Sequence, residues 1–167
     1  MKNPYAEGIK QIWTKIGYIR LLTRIIRELK HFIKEHGFDQ QINYIRSVPG
    51  VGTFSSMVFF TEIMNINRFP KLDHLLCYVG LVPSVESSGD KSCEKGITPR
   101  GNRFLRHLIV EASWIAIRKD PALLACFNKL TKRMKKQEAI IRIAKKLVNR
   151  IRYVWKNQTN YVLAVIE

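Results

Sequence analysis

Between Ile9 and Ile33 the apolar residues Ile9, Ile12, Ile16, Ile19, Leu22, Ile26, Leu29 and Ile33 recur at spacings of 3, 4, 3, 3, 4, 3 and 4. A strand alternates with period two; this near-heptad period belongs to one long helix with an apolar seam. Trp13, Ile25 and Phe32 widen the seam, so it suits packing against a neighbouring helix as well as a two-stranded coiled coil. Gly37 then ends the helix, since glycine takes the left-handed backbone of a C-terminal cap. A seam this long, left alone, exposes more apolar surface than a monomer usually tolerates. It therefore predicts a homo-oligomer formed through residues 9–33.

The remaining chain also reads as helix. Asp39 is placed to cap a short helix to Arg46, and Pro49-Gly50-Val51-Gly52 makes a tight turn. Thr53 is the expected cap of a helix running to about Asn65, and Pro70 falls in the first turn of a helix closed by Gly80. Residues 81–97 carry Pro, Ser, Gly and alternating charge without an apolar period, which predicts a loop, ordered or mobile. Thr98-Pro99 and Asp120-Pro121 both show a capping residue followed by proline at the first helical position, and the last helix is expected over 136–156. No strand alternation of useful length and no internal repeat is found. The fold class is all-α: a long N-terminal linker helix, a helix-hairpin-helix element and two or three further helices around one core. Residues 1–38 form the helical linker and 39–167 the domain.

Charge narrows the partners. The chain has 29 Lys and Arg against 13 Asp and Glu, a net charge of +16. Residues 47–90 carry two bases and four acids, whereas 91–119 carry seven and two, and 131–156 carry ten and one. A compact fold with such a surplus repels itself, and clusters of this size fit a nucleic acid better than solvated helix faces. Apolar runs such as Met57 to Phe60 are far too short to span a bilayer, so no membrane partner is expected. The polar start, Met1 to Glu7, is not a signal peptide. Cys77, Cys93 and Cys126 show no paired spacing, which argues against a disulfide framework or zinc knuckle and fits a reducing cytoplasm. His74 and Cys77 share a helical face, but two ligands do not make a metal site, and a core histidine beside a buried thiol is expected.

Three segments carry chemistry. The Gly50-Val51-Gly52 turn and the helix after it can offer backbone N–H groups to a phosphate, as in a helix-hairpin-helix; a plain αα-hairpin explains it too. Ser87-Ser88-Gly89 can present a hydroxyl, and Lys91, Arg100, Arg103 and Arg106 follow closely enough to hold a phosphate. Arg suits a pentavalent phosphoryl centre, although a Ser-Ser-Gly stretch alone is equally a plain surface loop. In the last helix, Ile140, Ala144, Leu147, Ile151 and Val154 form one face. Arg142, Lys145, Asn149, Arg152 and Lys156 lie about 200° round it, a basic ridge able to track a DNA or RNA backbone, or a solvated face.

Taken in order, Ser47-Val48-Pro49-Gly50-Val51-Gly52, Arg68-Phe69, Tyr78-Val79-Gly80-Leu81-Val82-Pro83, Ser88-Gly89 with Lys91, Gly96-Ile97-Thr98, and Gly101-Asn102 with Leu105-Arg106 resemble the C-terminal domain of the insertion sequence 110/116/902 transposases. The match runs over about residues 43–156, with Asp120-Pro121 and Ala144-Lys145-Lys146-Leu147 fitting the family's tail. The resemblance implies a bridge-RNA-guided recombinase: a serine attacks DNA to form a covalent phosphoserine link, and a structured guide RNA chooses the DNA targets. Carried over, the nucleophile is Ser88, with Ser87 the alternative because only register separates them. Arg100, Arg103 and Arg106 become its catalytic cations. The nucleic-acid contacts are Gly50, Val51, Gly52, Lys91, Arg142, Lys145, Arg152 and Lys156. The family also has an N-terminal resolvase-like domain whose four acidic residues hold divalent metal, and a helical linker matching residues 5–36 here. No acidic quartet replaces it: Glu62, Asp73, Glu86 and Asp90 are spaced as surface and cap residues. The expectation is a truncated chain with no cofactor of its own, Mg belonging to the missing domain. A non-catalytic nucleic-acid-binding remnant and a helical scaffold that oligomerises through residues 9–33 are the rival readings.

Overall fold

The seam between residues 9 and 33 lies on one continuous helix, α1, spanning Pro4–Glu35, 32 residues or about 48 Å of axis. The computed structural model describes residues 4–88, 91–97 and 100–163, with side chains for 7–82 and 100–163. The chain divides into two compact units, Met1–Asp39 and Gln40–Glu167. In the first, Gly37 takes φ +70. Its N–H bonds the Lys34 carbonyl and the Phe38 N–H bonds that of Ile33, so the last carbonyls of α1 are satisfied by a left-handed stop. Ile33 is buried and Ile16, Ile26 and Leu29 are half-buried, while Ile9, Ile12, Trp13, Ile19, Leu22, Ile25 and Phe32 are exposed.

The second unit opens within α2 (Asp39–Ser47), which the Val48–Gly52 turn joins to α3 (Thr53–Ile63). A single 3₁₀ turn, Ile66–Arg68, leads to α4 (Leu72–Val79). Among the described residues four α-helices follow α3 rather than two or three: α4, α5 (Arg103–Lys119), α6 (Pro121–Thr131) and α7 (Lys136–Asn157). The last three pack on one another, α3 packs on α5, and α4 and the 3₁₀ turn pack on α7. Phe59, Leu75, Leu105, Ile143, Leu147 and Ile151 are fully buried where these helices meet, and Trp155 of α7 takes ring contacts from Phe59 and Phe60 of α3. Each such side chain contributes about 1.5–3 kcal/mol by leaving water, which is why the period-3.6 pattern dictates the bundle.

The fold is all-α, with one addition. Within residues 81–97, expected to be a loop, two strands form. Pro83–Ser88 (β1) and Lys91–Ile97 (β2) pair as an antiparallel hairpin whose register runs from Pro83↔Ile97 to Ser88↔Lys91. The register shifts between Pro83 and Ser84, because Ser84 pairs with Lys95 and Gly96 is the extra residue of a bulge. Most residues of this ladder are polar, so it lacks the apolar alternation by which strands are read. Gly89 and Asp90, between the strands, lie outside the described residues, but Gly-Asp between two runs is itself a two-residue hairpin signal.

Several caps differ from expectation. Thr53 is the first residue of α3, whose cap is Gly52 with no side-chain hydrogen bond. Helix α4 starts at Leu72, two residues after Pro70. Thr98 and Pro99 lie outside the described residues, and α5 starts later, at Arg103, capped by the Asn102 side chain on Leu105 N–H. His74 and Cys77 are exposed on α4, not a core histidine and a buried thiol. Asp120-Pro121 behaves as read: Asp120 Oδ1 accepts from the Ala122 and Leu123 N–H groups, and Pro121 opens α6.

Candidate functional site

The serine hairpin leaves the helical body through a stem made by two glycines. Gly80, at φ +78, is the left-handed cap of α4, and Gly101, at φ +106, precedes the cap of α5. A Cβ on Gly101 would lie 2.6 Å from Gly80 Cα, and one on Gly80 would lie 2.8 Å from the Arg100 carbonyl oxygen. Only glycine at both positions lets the outgoing and returning backbones touch. The crossing is pinned on each side. Asn102 N–H donates to the Tyr78 carbonyl at 2.8 Å, and Arg106 Nη1 donates to the Gly80 carbonyl at 3.0 Å. Asn102 Nδ2 donates to Glu62 Oε2 at 2.6 Å, and the Tyr78 hydroxyl donates to the Glu62 carbonyl at 3.2 Å. Helices α3, α4 and α5 thus hold the base of the hairpin together.

From that base β1 runs through Ser87 to Ser88, its last residue, about 17 Å of strand from Pro83. Ser88 is the Cα partner of Lys91 and Ser87 of Ser92. The three arginines read as one group divide. Arg100 and Arg103 are exposed, whereas Arg106 is half-buried with a guanidinium nitrogen on the stem carbonyl. Arg106 is therefore part of what holds the hairpin.

The Gly50-Val51-Gly52 turn divides too. Gly50 has φ +88, and a Cβ there would lie 2.3 Å from the Ala112 carbonyl oxygen and 2.7 Å from Ala116 N, so it is pressed against the backbone of α5. Val51 is buried. Gly52 is exposed with open space where a Cβ would stand. No side chain caps α3, and a cleft of about 230 Å³ beside its start is lined in part by Gly52, Ser55, Glu111 and Lys119. Gly50 thus serves packing, and Gly52 with the N-terminus of α3 is what remains for an anion, Lys119 beside it and Glu111 opposing it. Both the turn and the hairpin stem are seated on α5, at Ala112 and Arg106, about 9 Å apart along the helix.

On α7 the buried face is broader than the five residues read from the sequence: Ile143, Val148 and Trp155 are buried as well. Val148 and Trp155 carry that face toward the flank holding Lys145 and Arg152, both only half exposed. Arg152 Nη2 donates to the carbonyls of Pro70 at 2.7 Å and Phe69 at 3.3 Å, and its Nε is buried without a partner. It closes the bend before α4 and does not point into solvent. Arg142 and Lys156 are exposed as expected. The outer line of the helix is completed by Lys146 and Tyr153, which sequence reading passed over; counting every buried position before drawing the opposite face would have found them.

A second network was also missed. Asp120, 1% exposed, accepts from Arg150 Nη1 and, at 2.7 Å, from the Tyr161 hydroxyl on Oδ2. Tyr161 N–H in turn donates to Ser47 Oγ at 2.8 Å, so the segment after α7 is tied to the end of α2. Burial pushes the Asp120 carboxyl up, but the bonds from Tyr161 and Leu123 and the charge of Arg150 outweigh it and hold the group below the usual aspartate range. Burial and the bond to Asp120 push the Tyr161 phenol up to about 12. Among the described residues no three His, Cys, Asp or Glu side chains gather as a metal ion requires. No helix among them is long and apolar enough to cross a membrane.

These parts define a helical domain that carries a serine-bearing β-hairpin on a glycine-crossed stem. Residues 42–128, from α2 through the turn, the hairpin and α5 into α6, match the Transposase IS116/IS110/IS902 family, and the chain belongs to that family. It is 34% identical over 74 residues to the transposase for insertion sequence element IS1111A of Coxiella burnetii, covering 44% of this chain and 20% of that protein. It is 28% identical over 112 residues to the transposase for insertion sequence element IS1328 of Yersinia enterocolitica, covering 60% of this chain and 34% of that protein. An insertion element IS110 protein of 43.6 kDa from Streptomyces coelicolor is 26% identical over 118 residues, 70% of this chain and 29% of that one. The chain spans between a fifth and a third of the length of these curated relatives.

Proposed function

We propose that this chain is the strand-exchange half of a DNA transposase, binding DNA and a structured guide RNA and supplying Ser88 as the nucleophile. The observation that carries the reading is the anchored hairpin. A polar two-stranded ribbon with its last strand residue at Ser88 and a cation, Lys91, as that residue's Cα partner has little apolar reason to exist. Yet five residues, Glu62, Tyr78, Gly80, Asn102 and Arg106, hold its base. In the step proposed, the Ser88 hydroxyl oxygen attacks a DNA phosphorus and an Oγ–P bond forms. The bond from phosphorus to one deoxyribose oxygen breaks, and the proton leaving the serine ends on that oxygen. Charge on the pentavalent centre is offset by Arg100 and Arg103, cations whose planar donors suit a phosphoryl group. Arg106 acts through the stem and is a positioning residue.

The Gly52 edge of the α2–α3 turn serves as a helix-hairpin-helix phosphate contact, with the uncapped N–H groups of α3 as donors. It positions the duplex without reading sequence. The basic line of α7 tracks a second stretch of backbone. The exposed seam of α1 supports self-association, and light scattering of Ile16→Asp with Ile26→Asp should report a lower mass than wild type. Free thiols at Cys77 and Cys126 suit work in the cytoplasm.

The deciding experiment supplies the chain with labelled DNA, guide RNA and an acidic resolvase-like domain from a family member, and looks for a covalent protein–DNA adduct. Wild type should form it and Ser88→Ala should not. Loss only in Ser87→Ala moves the nucleophile one residue. No adduct from wild type leaves the non-catalytic binding remnant.

A further inference from the structure

The outer line of α7 is Arg142, Lys146, Asn149, Tyr153 and Lys156, all exposed, at spacings of 4, 3, 4 and 3. Such spacing places them on one face, over about 21 Å of helix. The opposite face is fixed in the core through Ile143, Leu147, Ile151 and Val154, so the line is rigidly presented. None of its three cations has an ion pair among the described residues. The Asn149 amide has no partner there, and the Tyr153 ring, 64% exposed, has no ring contact. Asn157 bonds only the Tyr153 backbone carbonyl, at 3.0 Å.

We infer that this line binds single-stranded nucleic acid, with one unpaired base stacked on Tyr153. The inference rests on the proposed role of α7 as a backbone-tracking face and adds the kind of strand it takes. A duplex offers phosphates to cations but keeps its bases stacked inside, and an aromatic ring among lysines gains nothing from it. A single strand offers both, and alternating cations with a free aromatic face is the arrangement that holds it. Arg142 and Lys146 lie on one side of Tyr153 and Lys156 on the other, so phosphates flanking the stacked base meet a cation each way. Asn149, one turn before the ring, can give and accept a hydrogen bond at the edge of that base. Because every base has a face to stack, the site tolerates any sequence, which suits loops of a folded RNA or a displaced DNA strand.

The test uses the full chain and three labelled probes: oligodeoxythymidine, oligouridine and a blunt DNA duplex. Tyr153→Ala should weaken both single strands by roughly tenfold and leave the duplex unchanged. Tyr153→Phe, which keeps the ring, should bind as wild type. Thermal unfolding of the variants checks that the exposed substitutions leave the fold intact. Reversing Arg142, Lys146 and Lys156 to Glu should weaken all three probes. If the reversals matter and Tyr153→Ala does not, or if it weakens the duplex equally, the stacking site is refuted while the basic face stands. If the reversals change nothing, α7 is not the contact and both readings fall. Loss on only one of the two single strands overturns the claim that stacking alone recognises the ligand.

Discussion

Asp120→Ala should cost the second unit about 4 kcal/mol, most of it from a charge left without its partner. The wild-type carboxylate, 1% exposed, accepts four hydrogen bonds: the Ala122 and Leu123 N–H groups, the Tyr161 hydroxyl and Arg150 Nη1. Loss of a helix cap costs about 1 kcal/mol. Removing one partner of a buried ion pair costs about 3–5 kcal/mol, and the low end applies here because the Arg150 side chain keeps 22% of its exposure. Against the ~5–15 kcal/mol by which domains are stable, such a loss is readily measured. Urea unfolding followed by circular dichroism reads it as a lower midpoint at unchanged slope. Asp120→Asn keeps the cap acceptor, so the difference between the two variants isolates the ion pair. Asp120→Ala with Arg150→Met should lose less than the sum of the single changes, by at least about 1.5 kcal/mol. Additive losses, or a cost below about 1 kcal/mol for Asp120→Ala, would show that Asp120 does not hold α6, α7 and the tail together.

Tyr161 gives a pH signature of opposite sense to that of Asp120, whose carboxyl is held low. Its phenol is raised to about 12, so the folded state keeps a proton that the unfolded chain loses near pH 10; stability is present below about 10 and falls as pH rises toward 12. The wild type should therefore lose stability over that window faster than Tyr161→Phe, and parallel curves would contradict the buried bond to Asp120. Gly50→Ala should destabilise by about 3 kcal/mol or more, since its Cβ would sit 2.3 Å from a backbone oxygen at positive φ, while Gly52→Ala should stay within about 0.5 kcal/mol; thermal unfolding compares them, and equal effects would undo the division of the turn. Duplex binding should follow log salt with a slope of about −5 if six phosphates are neutralised; a flat dependence measured by anisotropy removes the electrostatic reading.

The helices were legible because each buries a stripe whose period survives in the sequence, and because Gly37, Gly80 and Asp120 mark ends by chemistry that depends on neighbours a few residues away. The hairpin was not, since its strands carry no apolar face to alternate; its stability is fixed at the stem, by contacts such as Asn102 with Glu62 that join residues forty apart. The candidate site was legible as a set of residue types and not as a division of labour. Arg103, Arg106, Arg142 and Arg152 look alike in sequence. Only placement separates the two that face solvent from the two that hold carbonyls of Gly80 and of Phe69 and Pro70. Gly50 and Gly52 divide in the same way, one against α5 and one open.

The glycine crossing has a consequence for how such chains diverge. Where a chain leaves and re-enters a folded body at a single point of backbone contact, the body does not register what lies beyond that point. The entropy of closing the excursion grows only with the logarithm of its length, so each doubling adds roughly 0.6 kcal/mol. Changes of length between the two strands are therefore expected to alter reach more than the helical core, whereas a single methyl group on Gly80 or Gly101 separates the two backbones at their origin. The hairpin can change in length, whereas the two glycines at which its outgoing and returning backbones cross cannot take a side chain.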